Sequence, residues 1–308
     1  METAVVIARV AQYVGAAVLF GTPLFFLYAL PKAGVGSAIT LPWPRPVLGA
    51  SALVVILAAL VYLCAQTAMM AGDPAAAFDR ETLIGVLNDS AMGRAVMARV
   101  VAALLALVAG LAMRPSRSLW LALAVLGAVV MASFAWTGHG AADEGLHGLI
   151  HTPADVLHLL AAGVWLGALA AFALLLWAPG RAGPESQAVL HRALEGFSGI
   201  GSAVVAVILV TGLVNSWFLV GLAGVGRMAT SAYGVLLIVK VAVFLAMLGL
   251  AGLNRFFHTP ALARDLAAGE AGDALKTLRW SVLAETALGA AVIVLVAVLG
   301  MLAPVASQ

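Results

Sequence analysis

His151, Asp155 and His158 stand at i, i+4 and i+7, a spacing that on an α-helix confines all three to about 60° of arc. Trp165 falls two turns further along the same face. The stretch around them, residues 137–167, holds four of the six histidines, His139, His147, His151 and His158, and no Lys or Arg. Imidazole binds copper in either oxidation state, and a carboxylate favours the divalent ion, so this donor set suits copper. His151 and His158 would lie ~10 Å apart along the helix axis at ~1.5 Å per residue. A shared ion therefore needs side chains that reach toward each other, or a second helix. Thioethers suit cuprous copper. Met69 and Met70 close the second apolar segment, and Met131 lies two turns before His139. Methionine also fills gaps in ordinary cores.

The elements that position these residues are membrane helices. A chain of 308 residues with 64% apolar and 10% charged content is far from a soluble domain. Its apolar residues come in runs long enough to cross ~30 Å of hydrocarbon. Eight segments are expected, at about 3–30, 47–71, 93–113, 117–137, 153–178, 197–220, 231–257 and 280–303. The fold class is thus all-α, one polytopic integral-membrane domain over 1–308. The single cysteine, Cys64, excludes an intramolecular disulfide or a cysteine-rich cluster. No P-loop is present, which removes ATP-driven pumping, and nothing suggests nucleic acid as a partner. Thr152-Pro153 reads as the start of the fifth helix, with Thr152 as N-cap. Gly21-Thr22-Pro23 should kink the first, and Gly163-x-x-x-Gly167 is a helix-packing motif facing away from the histidines.

Charge placement sets orientation. Loops 1–2, 3–4, 5–6 and 7–8 carry ten Lys and Arg against three in the opposite loops, so both termini should face outward. Arg9, Arg99 and Lys240 remain inside spans, all at the outer-half depth of Asp155 and His158. A mid-membrane charge costs at least ~2.5 kcal/mol, so these cations, with Trp165, are expected to line a shared cavity. The simpler alternative is that the arginines snorkel outward and bind nothing. In the inner half only Asn215, Glu285 and His258 are expected to offer polar atoms.

These residues give the chain a resemblance to the CopD family of bacterial inner-membrane copper-resistance and copper-uptake proteins. The matching pieces are Pro153-Ala154-Asp155-Val156-Leu157-His158 with Trp165-Leu166-Gly167, then Gly93-Arg94 with Ala98-Arg99. Lys240 with Asn254-Arg255-Phe256 and Thr259-Pro260 completes the set. The resemblance implies copper handling at the inner membrane, a periplasmic copper-binding partner of the CopC type, and functional positions at Arg99, Asp155, His158, Trp165 and Lys240. The haem alternative below would make the protein an oxidoreductase, whereas no enzymatic role is expected on the copper reading. On this reading His139, His147 and His151 collect copper at a periplasmic mouth, Asp155 and His158 hold it at the first buried step, and Met69, Met70 or Met131 follow. The family's helix layout is similar to that of cytochromes b. The alternative is therefore a haem b electron carrier, with His158 and His139 as axial ligands and Arg9, Arg99 and Lys240 on the propionates. A third reading is a copper-binding scaffold or sensor subunit that recruits partners.

The charge bias yields a direct test. A reporter fused at Gln308 should be active only in the periplasm; activity confined to the cytoplasm would invert the orientation.

Overall fold

A computed structural model describes residues 1–29, 44–138, 140, 145–177, 184–268 and 272–307; His139, Lys32 and Arg181 lie outside the described residues. Eight helices are long and apolar enough to cross a membrane. They are Glu2–Tyr28, Pro44–Ala71, Ala91–Ala112, Arg117–Ala132 with a 3₁₀ turn to Thr137, Gly145–Trp177, Pro184–Gly224, Ala232–Leu253 and Gly272–Leu299. Each matches an expected segment, and no strand occurs among the described residues. Large apolar side chains such as Leu57, Leu111, Val210 and Leu213 point outward, as they should where the solvent is lipid.

The fifth helix does not begin at Thr152-Pro153. It starts at Gly145, which adopts a positive φ of 60°, and runs through Pro153 to Trp177. The apolar residues Leu146, Leu149 and Ile150 extend the hydrophobic segment before Thr152, and a proline inside a membrane helix is tolerated where neighbours satisfy the freed backbone. His147 is therefore helical, one turn before His151, and not part of a loop. The loop after the second span is also more ordered than its composition suggests. Asp79 accepts from the Thr82 amide at 2.8 Å and caps the helix Arg80–Asp89, and these hydrogen bonds hold its carboxyl below the usual carboxylate range.

The first span is the axis of the bundle, packing on the second, fourth, fifth and eighth. Glycine makes these crossings close. A Cβ on Gly167 would lie 2.4 Å from the Gly21 Cα, and one on Gly127 would lie 2.6 Å from the Phe20 Cα. Thr22 seals the first crossing by donating to the Gly167 carbonyl at 3.1 Å. Gly163 and Gly167 thus form a packing face, and it turns the histidine stripe away from the first span. Pro23 sits within a continuous helix. The sixth span flanks the fifth, the seventh flanks the eighth, and a cleft between the sixth and seventh opens at the bundle's surface, lined by exposed Leu213 and Leu245. The sixth breaks at Gly221, whose φ of 65° favours glycine.

Overpacking a site of this kind costs ~1–3 kcal/mol or more. Gly167→Leu should lower the thermal unfolding midpoint and the folded yield in detergent, while Gly249→Ala, with nothing within 4 Å of the added carbon, should leave both unchanged. Equal tolerance of the two would contradict the close crossing.

Candidate functional site

A cavity of about 190 Å³ opens at the end of the bundle that carries both termini. It gathers Arg9 from the first span, Met131 from the fourth, His151, Asp155 and His158 from the fifth, Asn215 from the sixth and Lys240 from the seventh. The fifth-span stripe does not stand alone. Thr211, Asn215 and Phe218 repeat its spacing on the antiparallel sixth span, and the two stripes meet rung by rung. His158 Nδ1 lies 3.0 Å from Thr211 Oγ1, Asp155 Oδ1 accepts from Asn215 Nδ2 at 3.2 Å, and His151 stacks on Phe218 with ring centres 4.7 Å apart.

The first rung fixes a tautomer. A threonine hydroxyl has one hydrogen, and Thr211 donates it to the Val207 carbonyl at 2.6 Å. Towards His158 it can only accept, so Nδ1 carries the ring proton and Nε2 keeps its lone pair. That is the state in which an imidazole binds metal, held by an outer hydrogen bond. Gly212 lies against the His158 ring and Gly140 against the His151 ring, where added carbons would come within 3.5 Å and 3.4 Å.

The cationic residues divide. Arg9 lines the cavity, donates to the Tyr13 hydroxyl at 3.1 Å and packs over Gly300. Lys240 lines it too, within electrostatic range of Asp155. Arg99 does not. It is 1% exposed behind Phe134, its guanidinium 3.8 Å from that ring's centre. It donates to Gln12 Oε1 at 2.5 Å, Ser133 Oγ at 3.0 Å and Thr137 Oγ1 at 3.3 Å. A planar fork of N–H donors matched to three neutral acceptors ties the first, third and fourth spans together. Trp165 is also absent from this cavity. It lines an apolar cleft of about 250 Å³ between the sixth and seventh spans, whose wall shares His158 and Lys240 with the cavity at the termini end. Its indole N–H donates to Glu285 at 2.8 Å.

Three further expectations change. Asn215 belongs to the Asp155 rung at the termini end, not to the opposite half, because the sixth span ascends toward its C-terminal end. Met69 packs into a separate apolar cluster with Val5, Tyr62 and Met92, and Met70 is 61% exposed, so neither reaches the cavity; Met131 does. His147 is exposed, its ring edge-on to Phe218 at 5.6 Å. Among the described residues, no three His, Cys, Asp or Glu side chains lie close enough to hold one ion. His151, Asp155 and His158 therefore offer donors in sequence along a wall and do not form a closed cage.

Residues 1–149 match the family described as copper resistance protein D-like, N-terminal domain, and residues 191–299 match copper resistance protein D. Over 299 residues the chain is 40% identical to copper resistance protein D of Pseudomonas syringae pv. tomato, covering 96% of this chain and 95% of that one. The chain belongs to the copper resistance protein D family. It is also 28% identical over 170 residues to inner membrane protein YebZ of Escherichia coli K12, 55% of each chain. Similarity to copper transport protein CutJ of Bacillus subtilis 168 is 33% over 121 residues, 39% of this chain and 21% of that one. No solved structure matches. Within this copper resistance protein D family member, Thr211, Asn215, Lys240 and Glu285 fall inside the second matched stretch, while His151, Asp155 and His158 fall between the two.

Proposed function

We propose that this protein takes up or translocates copper across the bacterial inner membrane, receiving it at the cavity formed by His151, Asp155 and His158. The observation that carries the proposal is His158: its Nδ1–H is committed to Thr211, and Nε2 is left as a lone-pair donor on a residue that lines the same cavity as Asp155. Copper is the cargo, so the path needs donors that exchange it. Two features make binding weak. The donors are spread along a wall, and Lys240 competes with a cation for Asp155. An arriving copper ion takes over the charge compensation that the ammonium otherwise supplies. Met131 offers a softer contact on the facing wall. The family resemblance supports a periplasmic mouth and delivery by a CopC-like carrier, and the names of the relatives in Pseudomonas syringae and Bacillus subtilis support copper as the cargo.

A haem fits this site poorly. The cavity of about 190 Å³ is below even the ~300–1,000 Å³ usual for small-molecule pockets. Among the described residues the cavity wall offers no second imidazole facing His158 from another span, since His151 sits on the same helix; His139, the other expected axial ligand, lies outside the described residues.

Variants at the first rung test the reading. His158→Ala should abolish bound copper in the purified protein and copper-dependent growth, with insertion and yield unchanged. Thr211→Val, which frees the ring to turn, should weaken copper by ~10–100-fold, the usual cost of losing an outer hydrogen bond to a ligand. Asp155→Asn should weaken divalent copper more than monovalent. Parent-like copper binding in all three would sink the proposal, and a haem absorption band that vanishes in His158→Ala would replace it.

A further inference from the structure

At the end of the bundle opposite the termini lies a second cavity, of about 540 Å³, walled by the fifth to eighth spans. Glu285 of the eighth span stands at its inner wall, 3% exposed. Both carboxyl oxygens are occupied by neutral donors: Oε1 accepts from Trp165 Nε1 at 2.8 Å, and Oε2 accepts from Asn254 Nδ2 at 3.0 Å. No Lys or Arg among the described residues forms an ion pair with it. A buried carboxylate without a counter-cation is expensive in a membrane. Something exchangeable must supply the positive charge.

Asn254 shows what that is. It opens a π-helical turn, Asn254–His258, in the seventh span, and such single turns recur at functional sites. Its side chain is 8% exposed, and its amide oxygen, buried beside Glu285, has no partner. A primary amide is both donor and acceptor. Through Nδ2 it binds the carboxylate; turned over, it offers Oδ1 to a carboxylic O–H. Lysine or arginine here would lock the anion. Asparagine serves either state, and the unpartnered Oδ1 is the acceptor that the acid form requires.

We propose that Glu285 is a proton-exchange site serving this second cavity, with Asn254 as the positioning residue that pairs with both of its protonation states. In the step, hydronium in the cavity gives its proton to a carboxylate oxygen: one O–H bond breaks in hydronium and one forms on Glu285, leaving water. The amide of Asn254 then rotates so that Oδ1 accepts the new O–H. Other ionisable groups on the cavity wall stand apart. His191 Nδ1 lies 3.7 Å from Glu195 Oε2 on the sixth span, and Arg255 is held by the Ser198 carbonyl and the Ser202 hydroxyl. Arg264 lines the wall from the helix Thr259–Ala268. The fifth span lines the cavity with Leu169 and Phe172 and reaches Glu285 through the uncharged Trp165; of the first span, Arg9 and Tyr13 lie at the other cavity, and Tyr28 stacks on Phe197 of this wall.

The test uses full-length protein in liposomes, without copper, so its failure leaves the copper reading intact. A hydrophobic carbodiimide reacts with a protonated carboxyl: the carboxyl oxygen bonds to the central carbon and its proton moves to nitrogen. Peptide mass spectrometry should find the adduct on Glu285, falling at least tenfold as pH rises, and absent from that peptide in Glu285→Gln. In Asn254→Leu the anion loses a donor, and charge-assisted hydrogen bonds are the stronger ones. Labelling should then persist to higher pH. No adduct at any pH, or labelling independent of pH, overturns the proposal; an Asn254→Leu profile identical to the parent's overturns the assignment of Asn254.

Discussion

The pairing of two antiparallel polar stripes on the fifth and sixth spans is the constraint on which the rest of the structure depends. Within hydrocarbon no water completes a hydrogen bond, so each polar side chain on one helix needs its complement on another. His158 finds Thr211 and Asp155 finds Asn215, while His151 is covered by the Phe218 ring. The rungs keep register because both helices place these residues at the same i, i+3/i+4 intervals. The arrangement also needs the fifth span's other face to be settled. Gly163 and Gly167, locked on Gly21 by backbone contact, fix the rotation of that helix and therefore the direction of the stripe.

The bundle links two polar regions through one aromatic side chain. The termini-end cavity and the apolar cleft share His158 and Lys240, and the cleft is bounded by Trp165, whose indole N–H binds Glu285 on the wall of the second cavity. Polar atoms therefore continue through the bundle even where the lining is apolar. The termini-end region carries imidazole, carboxylate and thioether donors, which suit copper; the far region carries carboxylate and amide oxygens, which are harder.

Much of this was legible in the sequence because membrane helices announce themselves by length and hydropathy. The i, i+4, i+7 pattern of His151, Asp155 and His158 survived even though the helix begins eight residues before Pro153, since a helical face does not depend on where the helix starts. What the sequence concealed was pairing. Thr211, Asn215 and Phe218 carry the same spacing as the histidine stripe, and searching for a second copy of that interval would have found them. Arg99 could not be separated from Arg9 and Lys240 by depth alone. Its neutral acceptors, Gln12, Ser133 and Thr137, come from two other spans, and only packing shows that they surround it. Met69 and Met131 were likewise equivalent until the bundle turned one into a core and the other onto the cavity wall.

The central claim is that copper meets His158 through an imidazole nitrogen. X-ray absorption spectroscopy of the copper-loaded protein addresses that bond directly. The account predicts nitrogen and oxygen nearest neighbours with the outer-shell scattering of an imidazole ring. A spectrum with sulfur neighbours alone would place copper on the methionines and contradict it.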